Sequence, residues 1–446
     1  MTKINKLSSW NYIWQLAWPV MISNVAIPLV GVTDVAMMAH MPSAQYVAGV
    51  SLGMLVFNFI FAGFSFLRMC TTGFTAQAYG KENTLEITLI LLRGLLISIV
   101  SGIALIFLLP LIILLTDYFL TKTSETKQYM EDYLNIRIWG IPFSLSNFAI
   151  IGWIFGLQKM KIVMRLILII NLSNIALNFI FVLGFSMEIK GVAIASVFAE
   201  IIGTIYIILL FIFKKLNLVF KNINFRSFFY KKNWFLFFKT GGNLIIRSFI
   251  IWSVEAILLS NASNLGDLKL AALQTILVIL GLIAFTLDGF AHATEALVGN
   301  TIGKNRRDLL KIIILRSTIL SFLTALVISL ILIFFKFEII NILTNQFLLK
   351  REISNIWIWC SILPISSFLA FQMDGVFVGA ACAKSMRNAM IISLLIFITL
   401  ILNFGELTID KLLIAINIFL IMRGVILLIL LPIVKKQIIE EKNVKV

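Results

Sequence analysis

Twelve long apolar segments restrict the fold of this chain more than any other feature of its sequence. Each is roughly 20–28 residues long, enough to cross a hydrocarbon layer of about 30 Å as an α-helix. Hydrophobic residues make up 60% of the chain and charged residues 13%, whereas soluble domains carry about 25% charged residues. The sequence therefore predicts an all-α polytopic membrane protein, with spans at 12–38, 47–72, 86–113, 130–155, 163–184, 191–213, 234–260, 270–298, 311–335, 354–380, 388–404 and 412–434.

The distribution of basic residues gives the expected orientation. Lys3 and Lys6 precede the first span, which is too long for the core of a signal peptide and is interpreted as a retained helix. With both termini in the cytoplasm, basic residues concentrate on the cytoplasmic side. The net charge of +16 thus reflects topology, and we expect a multi-pass protein of the bacterial cytoplasmic (inner) membrane, with the lipid bilayer and not nucleic acid as its partner. The largest basic cluster joins spans six and seven and contains Lys214, Lys215, Lys221, Arg226, Lys231 and Lys232.

The second half of the chain repeats the first half at a constant offset, which is half of the chain length. "GKENTLEITLILLRG" at 80–94 corresponds to "GKNRRDLLKIIILRS" at 303–317, and "GWIFG" corresponds to "GVFVG" with Gly152 matching Gly375. We therefore expect two pseudo-symmetric lobes: an N-lobe at 1–213, a basic cytoplasmic linker at 214–233 and a C-lobe at 234–446. Six spans per lobe give both lobes the same orientation. Such a repeat favours a transporter, although channels and intramembrane enzymes are also duplicated.

Carboxylates inside the predicted spans are the strongest functional signal, because a charge in lipid is costly. They are Asp34, Glu200, Glu255, Asp288, Glu295 and Asp374, with Arg68, Arg137, Arg247 and Arg423 as candidate counter-charges. A structural pair or an interfacial position explains Glu200, Glu295 and Arg68. Helix packing explains the glycines after Asp374 but not the acid itself.

Asp34 lies on a helical stripe with Ser23, Ile27, Met38 and Met41, a face of adaptable side chains. Core packing would explain the methionines but gives no reason for the acid. Pro19 and Pro28 lie on the same span, which can therefore bend. We predict that Asp34 binds a proton or a cation.

Two further stripes carry polar side chains. Asn171, Asn174 and Asn178 share one face of span five, where they serve either as interhelical hydrogen-bonding groups or as the lining of a pocket beside Asp34. In span eight the stripe consists of Gln274, Asp288, His292 and Glu295. It is interpreted as a polar seam or a relay in the C-lobe interior, together with Glu255 and Asp374. About 10 Å separates Asp288 from Glu295 along the helix, too far for one metal ion. No metal or cofactor is expected.

Several stretches resemble the multidrug and toxic compound extrusion (MATE) transporters, and among them the DinF-like branch. They include "PLVGVTDVAMMAH", "FLRMCTTGFTAQAYGK", "NIALNFIFVLG", "LDGFAHATEA" and "MDGVFVGA", within residues 18–424. The resemblance implies twelve helices in two six-helix lobes with a V shape, and efflux driven by H⁺ or Na⁺. It assigns Asp34 to the acid of the first helix, Pro19 to the bend of that helix and Asn174 to the pocket.

The sequence departs from this family at two positions. Asn178 occupies the place where the DinF-like branch usually has an aspartate, and Glu255 is an additional acid in the seventh helix. The predicted function is secondary-active antiport by a monomer that exports amphipathic, cationic organic compounds and is not an enzyme. The alternatives are a flippase for a lipid-linked precursor, whose cavity should contain several Arg or Lys residues, and a polytopic membrane enzyme, for which no motif is present.

Overall fold

The computed structural model describes residues 7–39, 44–120, 124–216, 218, 223 and 225–443. These residues form helices and their connections, and no strand occurs among them. Twelve helical segments in this part of the chain are long and apolar enough to cross a membrane, and each overlaps one predicted span. The prediction of an all-α protein with twelve spans is therefore confirmed. Helices suit this environment because they satisfy every backbone hydrogen bond within the segment.

The chain divides into two compact units. One comprises Ile22–Phe235, and the other comprises Met1–Met21 together with Leu236–Val446. The first helix, α1 (Trp10–Ala39), therefore contributes its beginning to one unit and its remainder to the other. The division into lobes at residues 213 and 234 stays a prediction.

The unit Ile22–Phe235 contains the rest of α1 and the helices up to the basic segment. A π-helical turn, Phe179–Gly184, follows the helix that ends at Asn178, and a short 3-10 turn, Ile138–Gly140, joins the helix that ends at Arg137 to the helix that begins at Ile141. The helices are α2 (Ala44–Phe64), α3 (Phe66–Gly80), α4 (Thr84–Phe107), α5 (Leu109–Leu120), α6 (Ser124–Arg137), α7 (Ile141–Gly156), α8 (Met160–Asn178), α9 (Glu188–Ile212) and α10 (Phe225–Phe228).

The other unit is built around two long helices, Asp267–Gly303 and Phe347–Gly379. Its buried core includes Trp357, Phe397 and Phe419. The beginning of α1 joins this unit: the ring of Trp14 lies 5.8 Å from that of Phe290. The helices are α11 (Lys231–Ser263), α12 (Asp267–Gly303), α13 (Arg307–Phe334), α14 (Lys336–Leu343), α15 (Phe347–Gly379), α16 (Ala383–Asn403) and α17 (Ile409–Asn443).

The backbone repeats at the offset seen in the sequence. Glu82 and Asn305, which occupy equivalent positions of the repeat, both have a positive φ, of 57° and 58°, in the tight turn after a helix. Gln158 and Ala381 form a second such pair, with φ of 61° and 55°. Side chains other than glycine rarely adopt this conformation. Its recurrence at equivalent positions therefore supports a common origin of the two turns.

Close helix packing repeats at the same offset. A Cβ atom on Gly152 would lie 2.2 Å from the carbonyl oxygen of Arg68, and one on Gly375 would lie 2.4 Å from that of Ala291. Arg68 and Ala291 are themselves equivalent positions of the repeat. The glycines of "GWIFG" and "GVFVG" therefore serve the same purpose, which is close approach of α7 to α3 and of α15 to α12.

Candidate functional site

A cavity of about 340 Å³ lies inside the unit Ile22–Phe235 and contains Asp34. Five helices line it: α1, α2, α6, α8 and α9. Apolar and aromatic side chains form most of its wall, and a few polar groups are placed among them, as in typical small-molecule sites. The lining residues are Ile27, Val30, Gly31, Asp34, Met54, Phe57, Asn58, Phe61, Tyr133, Arg137, Ile170, Asn171, Asn174, Ser196, Ala199 and Glu200.

Asp34 is the buried acid of this cavity, with 3% of its surface exposed. Its Oδ1 accepts a hydrogen bond of 2.5 Å from Nδ2 of Asn178. Among the described residues, no Lys or Arg nitrogen lies within 4.0 Å of its carboxylate. A neutral amide, and not a cation, therefore supports this carboxylate.

Two of the three asparagines of α8 line the cavity, and the third is buried beside Asp34. Asn174 donates from Nδ2 to Oγ of Ser196 at 3.0 Å, and its Oδ1 accepts from Asn178 at 3.1 Å. Asn171 and Asn174 line the cavity, whereas Asn178 is fully buried behind Asp34. The Oδ1 atom of Asn178 has no hydrogen-bond partner in the described part of the chain. The π-helical turn begins directly after Asn178 and ends the regular hydrogen bonding of α8 at this point.

Arg137 brings a positive charge into the cavity at the end of α6. Its side chain is 8% exposed, and its guanidinium lies 5.1 Å from the ring of Phe57 and 5.7 Å from that of Phe61. Nη1 packs against Gly140, where an added Cβ would lie 2.5 Å away. Aromatic faces attract a cation electrostatically, so these rings hold the guanidinium in the cavity wall.

Glu200 on α9 supplies the carboxylate that faces Arg137. Its Oε1 lies 3.9 Å from Nη2 of Arg137. Its Oε2 accepts a hydrogen bond of 2.7 Å from Nδ2 of Asn147, whose Oδ1 accepts from Thr204 at 3.3 Å. The expected pairing of Glu200 with a spanning arginine is found, and both residues lie in the cavity wall.

Because Glu200 faces Arg137, Asp34 is the carboxylate of the cavity whose protonation state can change. Asp34, Glu200 and Arg137 together carry a net charge of −1 when all three are ionised, and of 0 when Asp34 is protonated. A cavity of this kind can hold a single positive charge, either a proton on Asp34 or a cationic group beside it.

Of the other residues on the predicted stripe of α1, Ile27 lines the cavity and Ser23 does not. Ser23 is fully buried but is not among the lining residues, because eleven residues of helix separate it from Asp34 by about 16 Å. The side chain of Met38 lies outside the described residues. Pro19 and Pro28 both lie within the continuous helix Trp10–Ala39, and Pro19 is two residues before the point where α1 passes from one unit to the other.

The other unit holds a buried cluster of charges around Asp374. Arg247 and Arg423 both donate through Nη2 to the same oxygen of Asp374. All three side chains are at most 10% exposed. Asp374 is thus paired with two buried cations, which come from α11 and α17.

The predicted polar interior of the C-lobe is only partly buried. His292 and Glu295 are buried, with 3.2 Å between Nδ1 and Oε1, and Asp288 is half-buried. Glu255 and Gln274 are exposed. Their place in a polar interior of the C-lobe stays a prediction.

The sequence does not predict that Tyr133, Arg137 or Glu200 lies in one cavity with Asp34. It indicates Arg137 and Glu200 only as members of ion pairs. A buried tyrosine four residues before an arginine on one helical face was the signal available.

Comparisons with known proteins agree with this architecture. The sequence model of the MatE family matches residues 19–180 and 244–404, which correspond to the two repeats. DNA damage-inducible protein F of Escherichia coli (strain K12) is 30% identical over 417 residues, or 94% of this chain and 91% of that protein. A probable multidrug resistance protein NorM of Bacillus cereus is 22% identical over 395 residues, which cover 86% of this chain and 84% of that protein.

Solved structures share the fold. A MOP superfamily transporter from Pyrococcus furiosus superposes with a TM-score of 0.87 at 18% identity, covering 98% of this chain and 99% of the other. A structure of MATE in the straight conformation gives a TM-score of 0.87 at 17% identity, covering 99% of each chain. Together with the family match over both repeats, these similarities show that the chain belongs to the MatE family of multidrug and toxic compound extrusion transporters.

Proposed function

We propose that this transporter exports monovalent organic cations from the cytoplasm in exchange for protons, with Asp34 as the group that binds each in turn. The cavity suits such compounds because aromatic and aliphatic side chains surround one carboxylate that lacks a cationic partner among the described residues. The protein would act as a monomer in the bacterial inner membrane with both termini in the cytoplasm, and would need no cofactor other than the coupling ion.

The exchange follows from competition at one carboxylate. Ionised Asp34 attracts a cationic substrate from the inside, and a proton arriving from the outside neutralises the acid and releases that substrate. Asn178 can form a hydrogen bond with Asp34 in both its ionised and its protonated state, because an amide has a donor and an acceptor. Its Nδ2 donates to the ionised acid, and its Oδ1, which has no partner in the described part of the chain, can accept from the protonated acid after rotation.

Movement between the two states requires a part of the chain that bends. We propose Pro19 as the bend of α1, with Pro28 as a second weak point, because proline removes a backbone hydrogen bond inside a helix. Structures similar to this one are described as MATE in a bent and in a straight conformation. Bending of α1 would alter the position of Asp34 relative to its partners on α8.

The observation that carries the proposal is the burial of Asp34 beside a neutral amide in a cavity whose other two charges oppose each other. A fixed cation on Asp34 would prevent the exchange. The same observation disfavours a flippase for a pyrophosphate-linked lipid, because Arg137 is the one basic residue among the lining residues that the structure describes.

The exchange predicts transport driven by pH difference alone. One proton enters for each monovalent cation that leaves, so no net charge moves. The membrane potential, worth about 2.3 kcal/mol per charge per 100 mV, then contributes nothing. The pH difference contributes about 1.4 kcal/mol per unit.

The experiment measures export of a monovalent dye from proteoliposomes in which voltage and pH difference are set separately. We expect export with a pH difference at zero voltage, and none with voltage alone or with a Na⁺ gradient alone. Asp34→Asn should abolish it without loss of folding, since the amide can still accept from Asn178. Asp267→Asn, the same change at an exposed position, is the matched control. Export by voltage alone, or by Asp34→Asn, would reject the single-site mechanism.

A further inference from the structure

The proton exchange proposed for Asp34 meets an electrostatic difficulty inside its own cavity. Arg137 lines the same cavity, and a nearby cation favours the ionised form of a carboxyl group. An acid held permanently ionised by Arg137 would bind a cationic substrate but would not take up the proton that releases it. The structure must therefore hold the charge of Arg137 away from Asp34.

Glu200 is placed to do this. Its carboxylate lies 3.9 Å from Nη2 of Arg137, within ion-pairing range, while the carboxylate of Asp34 is beyond 4.0 Å from every Lys or Arg nitrogen in the described ranges. Asn147 fixes the second oxygen of Glu200 at 2.7 Å and leaves Oε1 directed toward the guanidinium. Phe57 and Phe61 hold the guanidinium from its other side.

Resting on the function proposed above, we propose that Glu200 is a positioning residue: it holds and neutralises Arg137, so that Asp34 remains free to exchange a proton for a cationic substrate. The pair keeps the net charge of the cavity at −1 with Asp34 ionised, although a cation lies in its wall. It also limits the substrate to one positive charge, because a second charge would find no free carboxylate.

All charged and titratable groups that face Asp34 across the cavity, among the lining residues that the structure describes, belong to this scheme. α6 contributes Tyr133 and Arg137, and α9 contributes Glu200. The lining residues of α2 and α8 are apolar, amide or thioether side chains. Changes in cavity charge can therefore be made at two positions without touching Asp34.

Three variants test the inference through the external pH at which dye export is half-maximal. Glu200→Gln leaves Arg137 unopposed, which favours ionised Asp34, so this pH should fall by about one unit or more. Arg137→Gln removes the cation and leaves two carboxylates, so the pH should rise. The double variant restores a net cavity charge of −1 and should return the pH profile close to that of the wild type.

Opposite shifts that cancel in the double variant cannot arise from damage to the fold. Glu188→Gln is the matched control, because Glu188 lies on the same helix but accepts a hydrogen bond from Tyr46 outside the cavity. An unchanged pH profile in Glu200→Gln, or a double variant no closer to wild type than either single variant, would overturn the inference. Asp34→Asn is measured in parallel. If it still exports dye, the proposed function itself fails, whereas loss of export in Asp34→Asn with an unchanged profile in Glu200→Gln rejects only the role of Glu200.

Discussion

Replacing Gly152 by alanine should destabilise the protein through a single added methyl group. The new Cβ would lie 2.2 Å from the carbonyl oxygen of Arg68 and 2.1 Å from Oγ1 of Thr71, on the facing helix α3. Thr71 is fully buried, and its hydroxyl already donates to the carbonyl of Leu67 at 2.7 Å. Neither contact can be relieved by rotation of a flexible side chain, so the helices must separate.

The size of the effect follows from this distance. Real Cβ atoms essentially never lie closer than 3.0 Å to another heavy atom, and the new Cβ would lie 2.2 Å from the carbonyl oxygen. The helices α7 and α3 must therefore move apart by at least about 0.8 Å. Overpacking of a close-packed interior costs about 1–3 kcal/mol. The free energy of unfolding should fall by this amount, and the melting temperature by several degrees.

The assay is thermal unfolding of the protein in detergent, followed with a dye that fluoresces on reaction with thiols. Cys70, Cys360 and Cys382 are free and buried, so the dye reacts as the helices separate. Gly281→Ala is the matched control, because nothing lies within 4 Å of its Cβ. There alanine should stabilise the helix by about 0.5–1 kcal/mol.

The comparison of the two alanine variants decides the outcome. Gly375→Ala should behave like Gly152→Ala, since its Cβ would lie 2.4 Å from a backbone oxygen at the equivalent position of the repeat. A melting temperature of Gly152→Ala equal to or above that of Gly281→Ala would refute the packing argument. A mild effect of Gly375→Ala alone would refute the equivalence of the two sites.

Three further changes have defined outcomes. Asp374→Asn removes the carboxylate that pairs with both Arg247 and Arg423 and should cost about 3–5 kcal/mol of stability; a melting temperature equal to that of the wild type would contradict this. Asn178→Asp adds a second acid beside Asp34 and should let two protons enter per monovalent cation, so that dye export in voltage-clamped vesicles becomes sensitive to voltage; continued insensitivity would reject the charge count. Gly140→Ala places a Cβ 2.5 Å from Nη1 of Arg137, a movable group, and should reduce export while the melting temperature changes little; equal losses of both would show a general packing defect instead.

The sequence alone was sufficient to predict the helices and the repeat. A bilayer fixes the length of an apolar segment and requires its backbone hydrogen bonds to be made within it, so hydropathy predicts each span with few alternatives. The constant offset between the two halves likewise required no structure, because glycines at equivalent positions meet equivalent helices. Asp34 could also be predicted as a functional group, because its span contains no Lys or Arg that could pair with an acid in a long apolar segment.

The surroundings of Asp34 depended on the tertiary structure. Asn178 belongs to a helix that is distant in the sequence, and Arg137 and Glu200 come from two further helices. A helical wheel shows the direction of each side chain around one helix axis. It does not show which helices pack together, or which positions along their axes lie at the same level. It therefore placed Ser23 with Asp34, although a distance of about 16 Å along the helix separates them, and it gave no reason to expect Arg137 in the same cavity. Electrostatic interactions depend on distances in space, and these distances between side chains of different helices are set only when the helices pack.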